Sequence, residues 1–400
     1  MQKRRQLMLG YLIITLFFSL NTNISVKATT KENHLVIKKL GQIQTGGLVK
    51  DVVVIQNYAF LADDQLGFLI YNISDPSNPL ELASVSNAGK ANGIEVIGSL
   101  VYVSALYGGM NIYDISNITQ PRLIGQYIDH GAIVDLDVEG NVAYLADHQI
   151  NTGGLKLINV SDPTNPERIV RFHDGGAPSN LFIDGDIAYV ADYQEGLEII
   201  DVSNPTNVSE LGQFDQFPGF FGVYAVDNDV YVTENTVDVG LKIISAENPA
   251  NPTLLGNYSY NGNPSDLQVV DNIAYVSDWD YGLQIIDVHE PTNPVKLGEY
   301  DDDSGKGFDV EVEDNVAYVA NWDGGLLIIQ IWEEIDETSD NTEITNISSS
   351  LAADFSTISK TSITEILTTE TKDSPSFELI LTFIGLISLV ILGTRQHLRK

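Results

Sequence analysis

The chain writes one unit of about forty residues seven times, and a period of that length constrains the fold more than any single residue does. One copy reads GNVAYLADHQINTGGLKLINVSDPTNPERIVRF. Aligned on its recurrent aromatic, the copies place Phe60, Tyr102, Tyr144, Tyr189, Tyr231, Tyr275 and Tyr318 at spacings of 42, 42, 45, 42, 44 and 43 residues. Each copy holds four short runs with period-two alternation, such as LQVV, AYVSD, LQIIDV and VKLGEY around Tyr275, which is the pattern of half-buried strands. Two-residue turns such as Gly140-Asn141, Gly185-Asp186 and Asp271-Asn272 join the first two runs, and their residues tolerate the positive φ of a tight hairpin. SDPTNP or a variant joins the last two, where proline and Asx residues fix a turn and stop pairing. Four antiparallel strands per repeat without helical periodicity predict an all-β, seven-bladed β-propeller of four-stranded blades.

The count of fourth strands is one short. Their signature recurs as Leu82-Ala83, Ile124-Gly125, Ile169-Val170, Leu211-Gly212, Leu255-Gly256 and Leu297-Gly298, six times for seven blades. The last copy stops after its third run at GGLLIIQIW, and the missing strand stands at the other end of the chain as Leu40-Gly41 in KKLGQIQT. The N-terminal strand is therefore expected to complete the last blade and close the ring, leaving no unpaired edge.

Both ends read as membrane signals. Lys3, Arg4 and Arg5 precede the apolar run Leu7 to Leu20 and the small-residue site Val26-Lys27-Ala28, which predicts a signal peptide over 1–28. Residues 377–394 are apolar and 18 long, with Arg395, Arg399 and Lys400 following, which predicts a C-terminal transmembrane helix, a basic cytoplasmic tail over 395–400 and an ectodomain outside. Residues 35–332 are the propeller, and 333–375, rich in Ser, Thr, Asp and Glu, are an acidic stalk. The chain has no cysteine, so its stability must come from packing. Between leader and tail, residues 29–394 carry 14 basic and 55 acidic residues, a net charge of −41. That surface disfavours nucleic acid and anionic headgroups and attracts cations.

The segments GLEIIDVSNPTN, GLQIIDVHEPTNP and GLKLINVSDPTNP resemble the LVIVD repeat of secreted or surface-anchored prokaryotic propeller proteins. The resemblance spans 35–332 and implies the fold, but it implies little about activity. Pro375-Ser376-Phe377 before the apolar run resembles archaeal surface-protein sorting tails built on Pro-Gly-Phe, with Ser in place of Gly. Sequons at Asn72, Asn117, Asn159, Asn207, Asn257 and Asn346 are candidate glycosylation sites; those at Asn72 and Asn159 also arise from the repeat's own Asp-Val-Ser pattern.

Two loop sets share one face of such a propeller, and they carry the candidate chemistry. Asp51, Asp135, Asp266 and Asp309 stand nine residues before the repeat aromatic, and Asp63, Asp147, Asp192, Glu234 and Asp278 three after it. Recurrence around the ring favours a structural role, each carboxylate accepting loop amides. The sharper reading is calcium held between blades by these hard oxygen ligands. Features that break the symmetry are better site candidates. One is the set His130, His148 and His173 around the third blade, with a transition-metal or general-base role, Asp135 and His148 being the pair from which a hydrolase or lyase reading would start. The others are aromatic: Phe217, Phe220 and Phe221 in FDQFPGFFG, and Tyr193, Trp279, Tyr281 and Trp322 just after second strands. Rings to stack on, with carboxylates to orient hydroxyls or amines, suit an extracellular protein or glycan partner. The expected function is a binding or adhesion scaffold at the cell surface, with no required cofactor.

Overall fold

In each repeat the second and third runs are buried along most of their length, whereas the fourth is exposed or half-buried along most of its own, and this gradient follows from where each strand stands in a blade. The computed structural model describes residues 33–335 except 87–88, 151, 174, 237–238 and 302–305. The leader, the stalk from residue 336 on with Asn346, the apolar segment 377–394 and the basic tail lie outside the described residues, and the first three residues read as stalk, 333–335, belong instead to a strand. Among the described residues no helix is long and apolar enough to cross a membrane.

Strand β1 (Asn33–Ile43) precedes seven repeats. The first comprises β2 (Val49–Ile55), β3 (Tyr58–Asp63), β4 (Gly67–Asn72) and β5 (Leu80–Val85), paired antiparallel in that order. β3 and β4 are almost wholly buried while β5 is not, because adjacent blades cover both faces of the middle strands but only one edge region of the last. The described strands form seven four-stranded sheets, and the protein is an all-β, seven-bladed propeller. Its innermost strands are β2, β6 (Ala91–Ile97), β10 (Ile133–Glu139), β14 (Pro178–Asp184), β18 (Phe220–Val226), β22 (Pro264–Val270) and β26 (Asp309–Glu313). Each packs on the next, and β26 packs on β2.

The core is a set of seams between blades. In one, Val52, Val54, Leu61 and Leu69 of the first blade meet Tyr318, Ala320, Leu326 and Ile328 of the last; equivalent seams recur around the axis. Each seam buries the apolar face that an isolated blade would expose. The turns conform to the sequence pattern: Asp271 and Asn272 take φ of 51° and 64°, as a type I′ hairpin requires. In SDPTNP, the carboxylate of Asp162 accepts the Thr164 amide at 3.0 Å and its hydroxyl at 2.7 Å, which holds the loop that stops pairing.

The seventh sheet has the order β1, β28 (Leu326–Ile335), β27 (Val316–Ala320), β26. A β-carbon on Gly325 at the start of β28 would fall on the carbonyl oxygen of Ile43, just as one on Gly109 would fall on that of Tyr127 and one on Gly282 on that of Tyr300. β1 thus occupies, relative to β28, the place that the fourth strand holds in other blades.

Candidate ligand site at the mouth of the axial channel

Alternation along the innermost strands turns every second side chain toward the propeller axis. Asp51, Asp135, Asn180, Asp266 and Asp309 form one tier, and Glu95, Asp137, Phe182, Tyr224, Gln268 and Glu311 a second. The first tier floors a funnel of about 360 Å³ that continues into a channel of about 440 Å³.

These carboxylates stitch blade to blade. Asp51 accepts the amide of Ile94 at 2.7 Å, Asp135 that of Leu181 at 3.0 Å, Asp309 that of Val52 at 3.0 Å, and Glu311 that of Val54 at 2.6 Å. Asn180 donates to Asp266 at 2.8 Å. Although the groups keep some surface facing the channel, protein surrounds them and ionisation is costly. Burial, then the charge of Asp309, pushes Asp51 well above the usual carboxylate range. Burial likewise raises Asp309 and Asp266, takes Asp135 to about 7, and with Asp137 beside it takes Glu95 to about 7. The carboxyl of Asp309 beside Asp51 thus disfavours its ionisation beyond what burial alone does.

The second recurrent set ties loops together. Asp63 accepts the amides of Leu48, Gln65 and Leu66, and Asp278 those of Asn263, Asp280 and Tyr281. Asp147 accepts from Ala132 at 2.7 Å and pairs with the buried ammonium of Lys156 at 2.6 Å. The incoming loop passes so close that a β-carbon on Gly47, Gly131 or Gly176 would overlap the carboxylate of Asp63, Asp147 or Asp192; glycine is the residue that permits that approach.

No group of three or more His, Asp or Glu side chains with a metal-holding arrangement occurs among the described residues. His130 is exposed, and His148 places Nδ1 3.0 Å from the carbonyl of Pro178. Asp135 is engaged with the Leu181 amide, so both members of the Asp135–His148 pair are committed to the neighbouring blade. Of the sequons, Asn117, Asn159, Asn207 and Asn257 are exposed and Asn72 is half-buried, its side chain accepting the Ser74 amide at 2.9 Å.

The aromatic residues divide. Phe220 is fully buried in the seam between the fourth and fifth blades, and Phe217 packs against that seam with its ring near Phe214. Phe220 is thus core, a correction to its place in the expected ligand set: the pairing of β18 shifts register between Phe220 and Val223, so Phe220 joins Val223 and Ala225 in the seam while Phe221 lines the funnel. Phe221 lines the funnel with Tyr193 edge-on at 5.5 Å, and Trp279 of the next blade lines it too. Tyr281 is exposed and does not line it.

Two participants escaped the sequence reading. Phe308 completes a ring cluster with Trp279 and Trp322, with centroids 6.2, 5.5 and 4.8 Å apart. Lys50 lays its ammonium over Phe308 and Trp322. Phe308 stands ten residues before Tyr318, as Phe221 does before Tyr231, and Lys50 holds that same repeat position before Phe60; the packing of the last blade on the first brings residues 308 and 322 beside 50. Trp322 itself takes φ of 39° and its carbonyl accepts the Val49 amide at 3.0 Å. A bulky side chain at positive φ is an outlier of the kind found where a site constrains the backbone.

A seven-bladed β-propeller with an aromatic-walled, carboxylate-floored axial funnel is the class that fold and site define. The chain belongs to the LVIVD repeat family, whose model matches residues 46–87, 88–129, 130–174, 175–216, 261–302 and 304–349. The unmatched stretch between the fourth and fifth matches folds as a blade like the rest, beginning with β18. The computationally designed Ika8 protein is similar over 73% of this chain and 98% of its own, with a TM-score of 0.53 and 12% identity. The β-propeller domain of Cps50 (Swd1) from Myceliophteria thermophila is similar over 74% of this chain and 100% of its own, with a TM-score of 0.61 and 9% identity. At those identities the likeness carries the fold alone. No curated protein matches the chain.

Proposed function

We propose that this protein is a cell-surface binding scaffold whose ligand seat is the axial funnel, with a glycan or a peptide as the class of partner. The observation that carries the reading is the funnel itself. It is a concave site of about 360 Å³ lined by Trp279, Phe308 and Phe221 together with Asn92, Asn180, Asn235, Asn263 and four aspartates, the mixture of ring faces and convergent polar groups by which binding sites orient ligands. A catalytic reading has no comparable support, since the carboxylates and His148 are engaged in blade-to-blade hydrogen bonds. Glycan and peptide arrays probed with the purified chain test the proposal: hits lost in the Trp279→Ala variant support it, and hits indifferent to every funnel substitution overturn it.

We further infer that β1 closes the ring and that the apolar segment 377–394 anchors the propeller outside the membrane. The first inference is supported by the sheet order β1-β28-β27-β26, the second by the basic tail and the leader in the sequence. Truncation after Ser374 should release the protein from membranes, and retention at high salt would overturn the anchor.

A further inference from the structure

The ring faces at the mouth already hold ammonium groups. Lys50 Nζ lies 4.1 Å from the Phe308 centroid and 3.8 Å from that of Trp322, and Lys306 Nζ lies 4.4 Å from that of Trp279. Lys50 holds this position at a cost, for burial lowers its pKa to about 8. None of the ion pairs found among the described residues includes it. What the structure offers in return is the attraction of the Asp64 carboxylate and two aromatic faces, whose quadrupole attracts a cation more strongly where water is thinned.

We propose that the funnel seats a primary alkylammonium group at the end of an extended aliphatic chain, and that Lys50 is its built-in stand-in. The inference rests on the funnel being the ligand seat and narrows what enters it. An anionic ligand would descend onto Asp51, Asp135, Asp266 and Asp309, which is unfavourable within a chain of net charge −34. A neutral sugar needs a bare ring face for stacking, and Lys50 and Lys306 lie over those of Phe308, Trp322 and Trp279. An incoming ammonium exchanges one cation for another on the same rings, and its N–H groups then face carboxylates that keep surface toward the channel. The same chemistry is offered by a lysine side chain of a peptide and by a free diamine.

The test is calorimetric titration of the full chain with 1,4-diaminobutane, with Nα-acetyl-lysine amide and with 1,4-butanediol, which has the same length but no charge. Both amines should bind and butanediol should not. Binding of the diamine alone assigns the seat to free polyamines, and binding of the lysine amide as well assigns it to basic peptides; either supports the proposal. Lys50→Ala should tighten amine binding about three- to thirtyfold by vacating the rings, whereas Lys50→Arg should leave it near the parent. If Lys50→Ala melts early, Lys50→Met keeps the aliphatic stem and should show the same gain. Weaker amine binding in the uncharged variants, or equal binding of butanediol, overturns the proposal. Array hits that need Trp279 but include no amine would sink this inference and leave the binding scaffold standing.

Discussion

A β-carbon on Gly41 would fall on the carbonyl oxygen of Pro76, and the same close approach recurs between Gly125 and Pro163, Gly212 and Pro249, and Gly256 and Pro291. In each pair a fourth-position strand lies against the proline loop of the next blade. Gly41 belongs to β1, so the N-terminal strand meets the first blade as an ordinary outer strand meets its neighbour. Gly41→Ala forces backbone apart at a packed seam and should destabilise the chain by about 1–3 kcal/mol, read as a lower urea midpoint. A midpoint equal to the parent's would mean that the approach is loose.

Removing residues 35–45 takes away more than a pairing partner. Leu35 and Ile37 press on Gly298 of the sixth blade, where other outer-strand glycines meet a proline loop. The shortened chain should melt earlier and self-associate through the freed edge of β28. An unchanged, monomeric melt, followed by light scattering, would contradict the role assigned to β1.

The blades were legible because each repeat carries its own alternation and turn chemistry, so local residues suffice to define four strands. Counting the fourth-strand signature also singles out Leu40-Gly41, which lies in β1, the strand paired with β28. The funnel was only partly legible. Trp279, Trp322, Phe221 and Tyr193 stand out as departures from the repeat, but Phe220 does so equally and is core, because the register shift between Phe220 and Val223 reverses the assignment that strict alternation along FFGVYAV would give. Phe308 and Lys50 share the repeat position of Phe221, but nothing local to either shows that they meet. Their meeting depends on the last blade lying beside the first, which is a property of the whole ring.

Lys156 is buried between Asp129 and Asp147, 2.8 and 2.6 Å from their carboxylates. Burial works against ionisation of Asp129, yet its hydrogen bonds from Lys156, Gly131 and Tyr127 hold it below the usual carboxylate value. Lys156→Met would leave two carboxylates facing each other without a cation. It should cost about 3–5 kcal/mol, measured by denaturant unfolding at neutral pH. A loss below about 1 kcal/mol would show that water reaches these carboxylates.

The axial carboxyls should make the propeller more stable in mild acid than at pH 8. Burial raises Asp135 and Glu95 to about 7 and Glu311 to about 8, so the folded state binds more protons than the unfolded chain, whose carboxyls titrate near 4. Their contribution is therefore full below about pH 4 and is lost as pH rises through 7 to 8. Carboxyls held low, such as Asp129, act oppositely and set the acid limit. Glu311→Gln should flatten the alkaline decline and stabilise the chain by about 1–2 kcal/mol at pH 8, after discounting for exposure to the channel. Gln268 already occupies the equivalent place in the sixth blade, its amide oxygen accepting the Val312 amide at 2.6 Å. Melting temperatures that rise from pH 5 to 8 in the parent would reverse the sign and refute the account.

Trp322 offers a test that separates ring from backbone. Its ring packs at 4.8 Å on Trp279 and 5.5 Å on Phe308, while its backbone sits at φ of 39° with the carbonyl fixed by the Val49 amide. Alanine removes the ring but keeps a β-carbon in the left-handed region, at a cost of roughly 1–2 kcal/mol that glycine escapes. Glycine gives back about 0.5–1 kcal/mol through the freedom of the unfolded chain. Trp322→Gly should therefore be at least as stable as Trp322→Ala, by up to about 1 kcal/mol, the reverse of the order at an ordinary site. Both variants lose the same stacking surface, so both should weaken binding at the funnel equally. If Trp322→Ala proves the more stable by about 1 kcal/mol, the positive φ carries no strain, and the turn at Trp322 is held by the ring cluster alone.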